Sequence, residues 1–165
     1  MPKRGAIAFT GPSGSGKTTL IEKIAKILVE NQKVAIIKHD PKDKAQFDTK
    51  GKDSHRFSAT GAEVVVVSPH KTTYLSKKEK NLTQIVNMID DFDILLVEGL
   101  KTLPLPRIAI FRNTIEESYL NCCEAVAIDD SIDIKDYTIP SDIALLDLNN
   151  TQQIIEWIKI HAQEI

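Results

Sequence analysis

The chain has few cysteines and no excess of positive charge, and each of these features excludes a class of protein. The sequence has two cysteines among 165 residues, and they are adjacent, Cys122 and Cys123. Adjacent cysteines supply neither a disulfide framework nor the spaced pairs of a structural zinc site. The formal net charge of -2 argues against the uniformly basic surface that wraps a nucleic-acid backbone. We therefore expect no nucleic-acid partner.

Long hydrophobic runs are also missing. The apolar stretch at 6–9 leads directly into a glycine-rich loop, so it resembles neither a secretory signal peptide nor a membrane span. We expect a cytoplasmic protein that does not act at a membrane. The chain has 165 residues and 42% hydrophobic content, enough to bury one substantial core. The prediction is a single domain over residues 1–165 without a separate lid.

Short apolar runs rich in valine and isoleucine recur along the chain, and most are continuous instead of alternating. Continuous runs predict strands with both faces covered, as in a parallel sheet between helices. The predicted strands are residues 6–9, 34–38, 63–68, 93–98, 107–111, 124–128 and 142–148.

Apolar residues at helical spacing lie between these runs. Stripes within 20–28, 82–89 and 154–161 predict amphipathic helices, and the first includes Ile27. Asn81 followed by Gln84 has capping-box character, and a short helix is predicted over 52–60. The segment SPHKTTYLS predicts an extra strand or hairpin near a sheet edge. The alternation predicts an α/β fold with a mostly parallel central sheet.

The clearest chemical signal is GPSGSGKT, from Gly11 to Thr18, which matches G-x-x-x-x-G-K-[ST] between a predicted strand and a predicted helix. In such a loop successive backbone N–H groups surround a phosphate, and glycines allow the close approach and the positive φ values. The helix N-terminus directs partial positive charge at the same anion. Lys17 would span the β and γ phosphates, and the Thr18 hydroxyl would ligate Mg²⁺.

This motif predicts a P-loop NTPase three-layer sandwich that binds a nucleoside triphosphate. The predicted nucleotide-binding residues of the loop are Gly11, Ser13, Gly14, Ser15, Gly16, Lys17, Thr18 and Thr19.

A P-loop also needs a carboxylate at the end of a neighbouring strand to hold the metal, directly or through water. The run DILLVEG supplies Glu98, although aspartate is commoner in that position. We predict that Thr18 and Glu98 hold Mg²⁺, and that Lys17 and Glu98 serve any hydrolysis. Asp40 and Asp48 lie where switch-type segments of P-loop proteins face the γ phosphate, and their individual roles are left open.

Basic residues outnumber acidic ones between positions 33 and 56, and this imbalance favours an anionic ligand. A solvated charged face is the alternative interpretation of the same pattern.

The choice of base is less clear, because the guanine-reading tetrad Asn-Lys-x-Asp is absent from the sequence. Ligands of open parallel sheets lie at the carboxyl ends of the strands. The strand ends that follow Glu98 in the chain carry Arg112, Asn113, Asp129 and Asp130. An amide and a carboxylate from adjacent strand ends could together read guanine, and this is a hypothesis from placement alone.

Several stretches together resemble the MobB family, the molybdopterin-guanine dinucleotide biosynthesis protein B. They are GPSGSGKTTL, VAIIKHD followed by Asp48 and GKDSHRFSATGA, and LLVEGLK ahead of PRIAIFR. The resemblance covers about residues 5 to 112. Family members often carry more histidines after the Lys-His pair, whereas this chain continues with DPKDKAQFD, which leaves His39 alone for any ligand role.

The resemblance implies a homodimeric adapter that binds GTP with Mg²⁺ and hydrolyses it weakly. Proteins of that family work beside the guanylyltransferase that attaches GMP to the molybdenum-bearing pterin. Molybdopterin or its guanine dinucleotide is an anion that Lys50, Lys52 and Arg56 could receive beside the nucleotide. Whether the protein is an enzyme beyond slow GTP hydrolysis stays open.

Two alternatives belong to other functional classes. A small-molecule kinase of the P-loop class usually needs arginines on a mobile lid, and this chain has four arginines and no obvious lid insertion. A nickel-insertion-type GTPase would be expected to show a cysteine or histidine metal motif together with the guanine tetrad, and neither is clear here.

Overall fold

The computed structural model describes residues 4–89 and 91–165 of the chain, which divide into two compact units. The described residues up to His39 and from Asp91 onward form the sheet unit, and those from Asp40 to Ile89 form the hairpin unit. A single domain over residues 1–165 stays a prediction.

The strands of both units are short. In chain order they are β1 (Gly5–Thr10), β2 (Val34–Lys38), β3 (Val64–Ser68), β4 (Lys71–Leu75), β5 (Ile94–Glu98), β6 (Arg107–Phe111), β7 (Ala125–Ile128), β8 (Ala144–Asp147) and β9 (Gln163–Glu164).

The sheet unit is built on a mostly parallel sheet of seven strands, in the order β2-β5-β1-β6-β7-β8. Neighbours along this path are all parallel, and β9 adds an antiparallel pairing to β1. Every residue of β1 is buried, because the strand has neighbours on both sides and covering layers on both faces. The predicted sheet architecture is confirmed, and it puts the segment that follows β1 at the centre of the carboxyl edge.

Four α-helices accompany the strands. They are α1 (Lys17–Leu28), α2 (Asp53–Ala59), α3 (Leu82–Met88) and α4 (Thr151–His161). Two 3-10 helices, Glu117–Cys122 and Ile134–Asp136, precede and follow β7. No helix in the described parts of the chain combines the length and the apolar character needed to cross a membrane.

Helices α1 and α4 bury their apolar stripes against one face of the sheet. Their buried residues and the inward side chains of β1, β5, β6, β7 and β8 form one core cluster. Of the stripe predicted for α1, Ile27 is an exception, since 41% of it is exposed. On the opposite face, Phe111 and Val126 pack with residues of the segments that flank β7, such as Ile132.

The predicted capping box is present at the start of α3. The Asn81 side chain accepts a hydrogen bond from the Gln84 backbone N–H at 2.9 Å, and the Gln84 side chain accepts one from the Asn81 N–H at 3.0 Å. These two bonds satisfy donors that the first turn of a helix leaves unpaired. The short helix predicted over 52–60 is also confirmed, as α2.

In the hairpin unit, β3 and β4 form a separate antiparallel sheet in which Val64 lies opposite Leu75 and Ser68 opposite Lys71. The hairpin predicted around 68–76 is therefore confirmed. Placing the run 63–68 in the buried parallel sheet was wrong, because Val65 is 56% exposed and Val67 73% exposed. An unbroken valine run indicates a strand, but it does not show which sheet the strand joins.

Candidate functional site

The loop between β1 and α1 has the backbone that its glycines predict. Gly11 has a φ of 139° and Gly14 a φ of 78°, in the region that L side chains disfavour. A Cβ at Gly11 would lie 2.3 Å from the carbonyl oxygen of Ile110 on β6. A Cβ at Gly14 would meet no heavy atom within 4 Å. The loop is thus pressed against β6 at its start and open at its tip, where a phosphate is expected.

Lys17 is the first residue of α1, and its side chain folds back over this loop. Its Nζ donates to the carbonyl oxygens of Gly11 at 2.9 Å and Pro12 at 2.7 Å. The helix N-terminus and the ammonium group therefore direct positive charge toward the same place. This arrangement is ready to receive an anion.

Electrostatic interactions connect Lys17 to three other ionisable side chains. Burial lowers the pKa of Lys17, the positive charges of Lys38 and Lys101 lower it further, and the carboxylate of Glu98 opposes them. Because like charges disfavour each other's ionised forms, the three lysines together favour a bound anion.

Glu98 ends β5, directly beside β1 in the sheet. Its carboxylate is 16% exposed and lies 3.6 Å from Lys38 Nζ. Thr18, Lys38 and Glu98 border a cavity of about 390 Å³ that runs along α1 and is lined mainly by apolar atoms. The two predicted metal ligands therefore lie on neighbouring elements, Thr18 in the first turn of α1 and Glu98 at the end of β5.

This pair of oxygen ligands fits Mg²⁺, which usually takes one or two protein ligands and completes its octahedron with water and substrate phosphates. In residues 4–89 and 91–165 no group of three or more His, Cys, Asp or Glu side chains is arranged to hold a metal ion.

The remaining predicted residues of the loop differ in exposure. Ser13, Thr18 and Thr19 are exposed. Ser15 is 3% exposed, and its buried Oγ has no hydrogen-bond partner among the residues that the structure describes. A buried hydroxyl without a partner costs about 1 to 3 kcal/mol, so Ser15 marks a position where a ligand or a water would supply the missing hydrogen bond.

On the other side of the loop, the end of β6 carries Arg112, whose guanidinium lies against Gly16. A Cβ at Gly16 would be 3.4 Å from Arg112 Nε, and that nitrogen lies 3.1 Å from Asp129 Oδ2. The hydroxyl of Ser131, and more weakly the charge of Arg112, hold the pKa of Asp129 below its ordinary value. Asn113 has a φ of 64° and donates its backbone N–H to Ser131 Oγ at 2.7 Å. Three of the positions at these strand ends are thus linked: Arg112 pairs directly with Asp129, and Asn113 is connected to Asp129 through Ser131.

A second cavity, of about 620 Å³, opens at the carboxyl ends of β7 and β8. Asp129, Asp130, Asp133 and Asp147 contribute to its lining. Of these residues, Asp129 is also ion-paired with Arg112, which lies against Gly16 of the phosphate loop.

Asp48 and Lys52, both predicted to bind the cofactor, belong to the hairpin unit. Asp48 Oδ1 accepts hydrogen bonds from Ser54 Oγ at 2.8 Å and from the Thr49 N–H at 2.9 Å. Within the described part of the chain, its buried Oδ2 has no hydrogen-bond partner. Lys52 is exposed at the N-cap of α2. Asp40 accepts backbone N–H groups of its own loop. The binding roles of these residues stay predictions.

Sequence reasoning missed Arg107, which it treated only as one of few arginines. Arg107 is 1% exposed, and its guanidinium donates to the carbonyl oxygens of Gly99 at 2.9 Å, Leu100 at 3.0 Å and Leu103 at 3.1 Å. These carbonyls belong to the turn that immediately follows Glu98. The available signal was an arginine at the start of the continuous apolar run RIAIF, where a charge needs partners.

A glycine loop after the central strand of a parallel sheet, a lysine folded over it and a carboxylate on the adjacent strand define the class of P-loop NTPases. Comparison with known proteins gives the family within this class. The family described as Molybdopterin guanine dinucleotide synthesis protein B, MobB, matches residues 6–129. The chain belongs to the MobB family, as its sequence stretches had indicated.

Individual relatives agree with this assignment. The molybdopterin-guanine dinucleotide biosynthesis adapter protein of Haemophilus influenzae is 32% identical over 162 residues, covering 93% of this chain and 86% of that protein. The crystal structure of Bacillus subtilis MobB has the same fold, with a TM-score of 0.74 at 22% identity, over 98% of this chain and 99% of that one.

A more distant neighbour bears on the nickel-insertion alternative. The hydrogenase maturation factor HypB from Archaeoglobus fulgidus has a TM-score of 0.50 at 16% identity, over 96% of this chain and 88% of that one. This likeness concerns the fold alone, so the MobB interpretation is better supported.

Proposed function

We propose that this protein is a GTP-binding adapter that assists the formation or delivery of molybdopterin guanine dinucleotide and hydrolyses GTP slowly. Membership of the MobB family supports the pathway. The observation that carries nucleotide binding is the preformed phosphate loop, with Lys17 Nζ 2.9 Å from the carbonyl oxygen of Gly11 and open space at Gly14. Backbone N–H groups of this loop would surround the β phosphate.

Thr18 and Glu98 would hold Mg²⁺ in this proposal, since Thr18 lies in the first turn of α1 after the loop and Glu98 ends β5, the strand next to β1. Bound there, the ion would neutralise charge on the β and γ phosphates. Glu98 lies 3.6 Å from Lys38 Nζ, so that lysine keeps the carboxylate charge compensated and can turn to a phosphate oxygen when the metal takes its place. Lys17 would hold the β and γ phosphates from the loop side.

The fixed position of Arg112 beside the phosphate loop is consistent with slow GTP hydrolysis. Arg112 is ion-paired with Asp129 at 3.1 Å and lies against Gly16, so it is held in place instead of being poised to swing toward a γ phosphate. Fast phosphoryl transfer often depends on an arginine that reaches the transition state. The bound nucleotide, GTP or GDP, would then determine when the protein passes the cofactor to a partner.

The preference for guanine is supported by the residues at the ends of β6 and β7. Asn113, Asp129 and Asp130 lie at those strand ends, as hypothesised, and a cavity of about 620 Å³ begins at the two aspartates. A carboxylate can accept from the N–H groups on one edge of guanine, and adenine offers no matching pair of donors there. We propose that one of these aspartates reads the base.

The pterin and the partner proteins involve the hairpin unit in this proposal. Lys50, Lys52 and Arg56 are exposed on that unit and would receive a phosphate-bearing pterin. The guanylyltransferase would dock beside it. We propose that the protein is a cytoplasmic homodimer. Each strand of the two-stranded hairpin sheet has one edge that the described residues leave unpaired. The second copy would cover this region, including the exposed valines of β3.

Titration calorimetry with GTP, GDP and ATP in magnesium buffer tests the nucleotide proposal. The parent is expected to bind GTP more tightly than ATP. Lys17→Ala removes a charge-assisted contact of about 1.5 to 3 kcal/mol and should weaken GTP binding about 10- to 100-fold. Lys23→Ala, an exposed lysine on the same helix, is the matched control. Absence of heat with both triphosphates, or equal binding by Lys17→Ala and the parent, would refute nucleotide binding by this loop.

A further inference from the structure

The turn of residues 99–103, which follows Glu98, is held in an unusual shape. Gly99 has a φ of 88°, and the next residue, Leu100, has a φ of 48°. Non-glycine residues seldom adopt this left-handed conformation, and it persists where the surroundings enforce it. The turn is closed by the Leu103 N–H, which donates to the Leu100 carbonyl at 3.0 Å. Leu100 therefore adopts a backbone conformation that would cost glycine less free energy, so contacts with other residues must stabilise the turn.

Arg107 provides that stabilisation. Its guanidinium is buried and donates to three carbonyl oxygens of the turn, at 2.9 to 3.1 Å. Burial also lowers the pKa of Arg107, which shows that the charge is held at an energetic cost. The fold therefore contains a dedicated cation whose hydrogen bonds fix the course of the backbone between Gly99 and Leu103.

The side chain that this turn presents is Lys101. It is exposed, and its Nζ lies 3.8 Å from the centroid of the Tyr119 ring. Tyr119 is in turn packed edge-to-face on Phe111 at the end of β6, with ring centroids 5.7 Å apart. A lysine on a surface loop usually samples many rotamers. Lys101 instead has its backbone fixed by Arg107 and its ammonium group fixed by an aromatic face.

The turn is joined to β1, the strand that leads into the phosphate loop. The Gly99 N–H donates to the Phe9 carbonyl of β1 at 3.0 Å, two residues before Gly11. Lys101 follows two residues after Gly99, so it is carried at the carboxyl edge of the sheet beside the start of the loop.

We propose that Lys101 is a second phosphate-binding lysine of this site, which contacts a terminal phosphate group adjacent to the phosphates held by Lys17. Arg107 acts as the positioning residue of the turn that carries it. The inference rests on the proposed nucleotide binding, and it names a contact that the P-loop motif does not specify. The terminal phosphate has two possible sources: the γ phosphate of the nucleotide, or the phosphate ester of a second substrate seated beside a nucleoside diphosphate.

Calorimetry on the full chain distinguishes these sources. The probes are a non-hydrolysable GTP analogue, GDP, and inorganic phosphate titrated into the GDP complex, all with Mg²⁺. If Lys101 contacts the γ phosphate, Lys101→Ala weakens the GTP analogue about tenfold and GDP less than twofold. If it contacts a second substrate, the analogue binds normally and Lys101→Ala loses phosphate binding to the GDP complex. Lys101→Arg, which keeps the charge and the ring contact, should restore most of the lost affinity.

Two further variants test whether the effect is specific to Lys101 or follows from the loss of any nearby positive charge. Tyr119→Leu removes the aromatic face but keeps the ammonium group, and it should reproduce a two- to fivefold part of the Lys101→Ala effect. Lys23→Ala, an exposed lysine of α1, should change neither affinity.

The inference is overturned if the parent binds both nucleotides while Lys101→Ala keeps the parental ratio of analogue to GDP affinity and the parental phosphate binding. If the parent binds neither GDP nor the analogue, the proposed nucleotide function fails, and this inference fails with it. The two failures are therefore distinguishable in one data set.

Discussion

Replacing Gly11 and Gly14 by alanine, one at a time, separates two roles of glycine in the phosphate loop. Both residues have positive φ values, 139° and 78°. The Cβ of Gly11→Ala would lie 2.3 Å from the Ile110 carbonyl oxygen, whereas the Cβ of Gly14→Ala would have no heavy atom within 4 Å. The first variant should therefore lose stability, and the second should mainly lose ligand affinity.

The magnitudes follow from those contacts. A left-handed alanine costs about 1 to 2 kcal/mol, and the lower entropy of its unfolded chain returns about 0.4 to 1 kcal/mol, so Gly14→Ala should lower the free energy of unfolding by about 1 kcal/mol. Gly11→Ala, with a φ of 139° that lies outside even the left-handed helical region, carries at least this backbone term. It also needs a backbone shift of about 1 Å, for which overpacking adds about 1 to 3 kcal/mol. The difference of about 2 kcal/mol corresponds to about 4 to 8 °C in Tm for a chain of this size.

Urea denaturation gives the two free energies of unfolding, and calorimetry with GTP and Mg²⁺ gives the affinities. Gly14→Ala is expected to weaken GTP by about tenfold, equivalent to 1.4 kcal/mol, because the positive φ of this residue shapes the backbone whose N–H groups are proposed to surround the phosphate. Equal destabilisation by both alanines would refute the close approach of Gly11 to β6. Undiminished GTP affinity in Gly14→Ala would show that the open tip is not where phosphate binds.

Two other predictions concern groups outside the phosphate loop. Burial raises the pKa of the Cys123 thiol from 9.0 to about 12, so the stability present below pH 9 should fall as the pH rises toward 12, by up to about 1.4 kcal/mol per pH unit. Urea titrations from pH 8 to 11 should show this decline in the parent and a flatter one in Cys123→Ala; identical slopes would contradict the assignment. Asn81→Ala removes the capping box of α3 and should cost about 1 kcal/mol, with faster amide exchange in its first turn, whereas exposed Thr83→Ala should change little; equal exchange in the two variants would argue against the cap.

The phosphate loop and its lysine could be predicted from the sequence because their geometry is local. Positive φ at Gly14 and Gly16, the helix start at Lys17 and the strand before them are all encoded within one short stretch. Glu98 could be predicted for a similar reason, since an acid after an apolar run marks the carboxyl end of a strand. The alternation of strand and helix patterns then predicted the sheet in which these ends meet.

Other features depended on contacts between distant residues, and the sequence did not reveal them. The valine run of β3 has the same composition as a buried strand, yet its partner is β4, and Val67 is 73% exposed. The two-residue strand β9 carries no hydrophobic pattern, and it exists because β1 offers it a pairing edge. The sequence marks Arg107 only as one of few arginines, because its partners, the carbonyl oxygens of the turn after β5, are backbone groups that no residue pattern indicates.

The sheet order explains why residues so far apart in sequence can serve one phosphate loop. Strand β1 lies between β5 and β6, so the loop that leaves β1 has the end of β5 on one side and the end of β6 on the other. Glu98 and the turn that presents Lys101 therefore flank it on the β5 side, and Arg112 flanks it on the β6 side. Arg107 joins the two sides, because it begins β6 while its guanidinium holds the turn that follows β5. The course of the turn that carries Lys101 is thus held by a buried cation, in addition to the strand pairing.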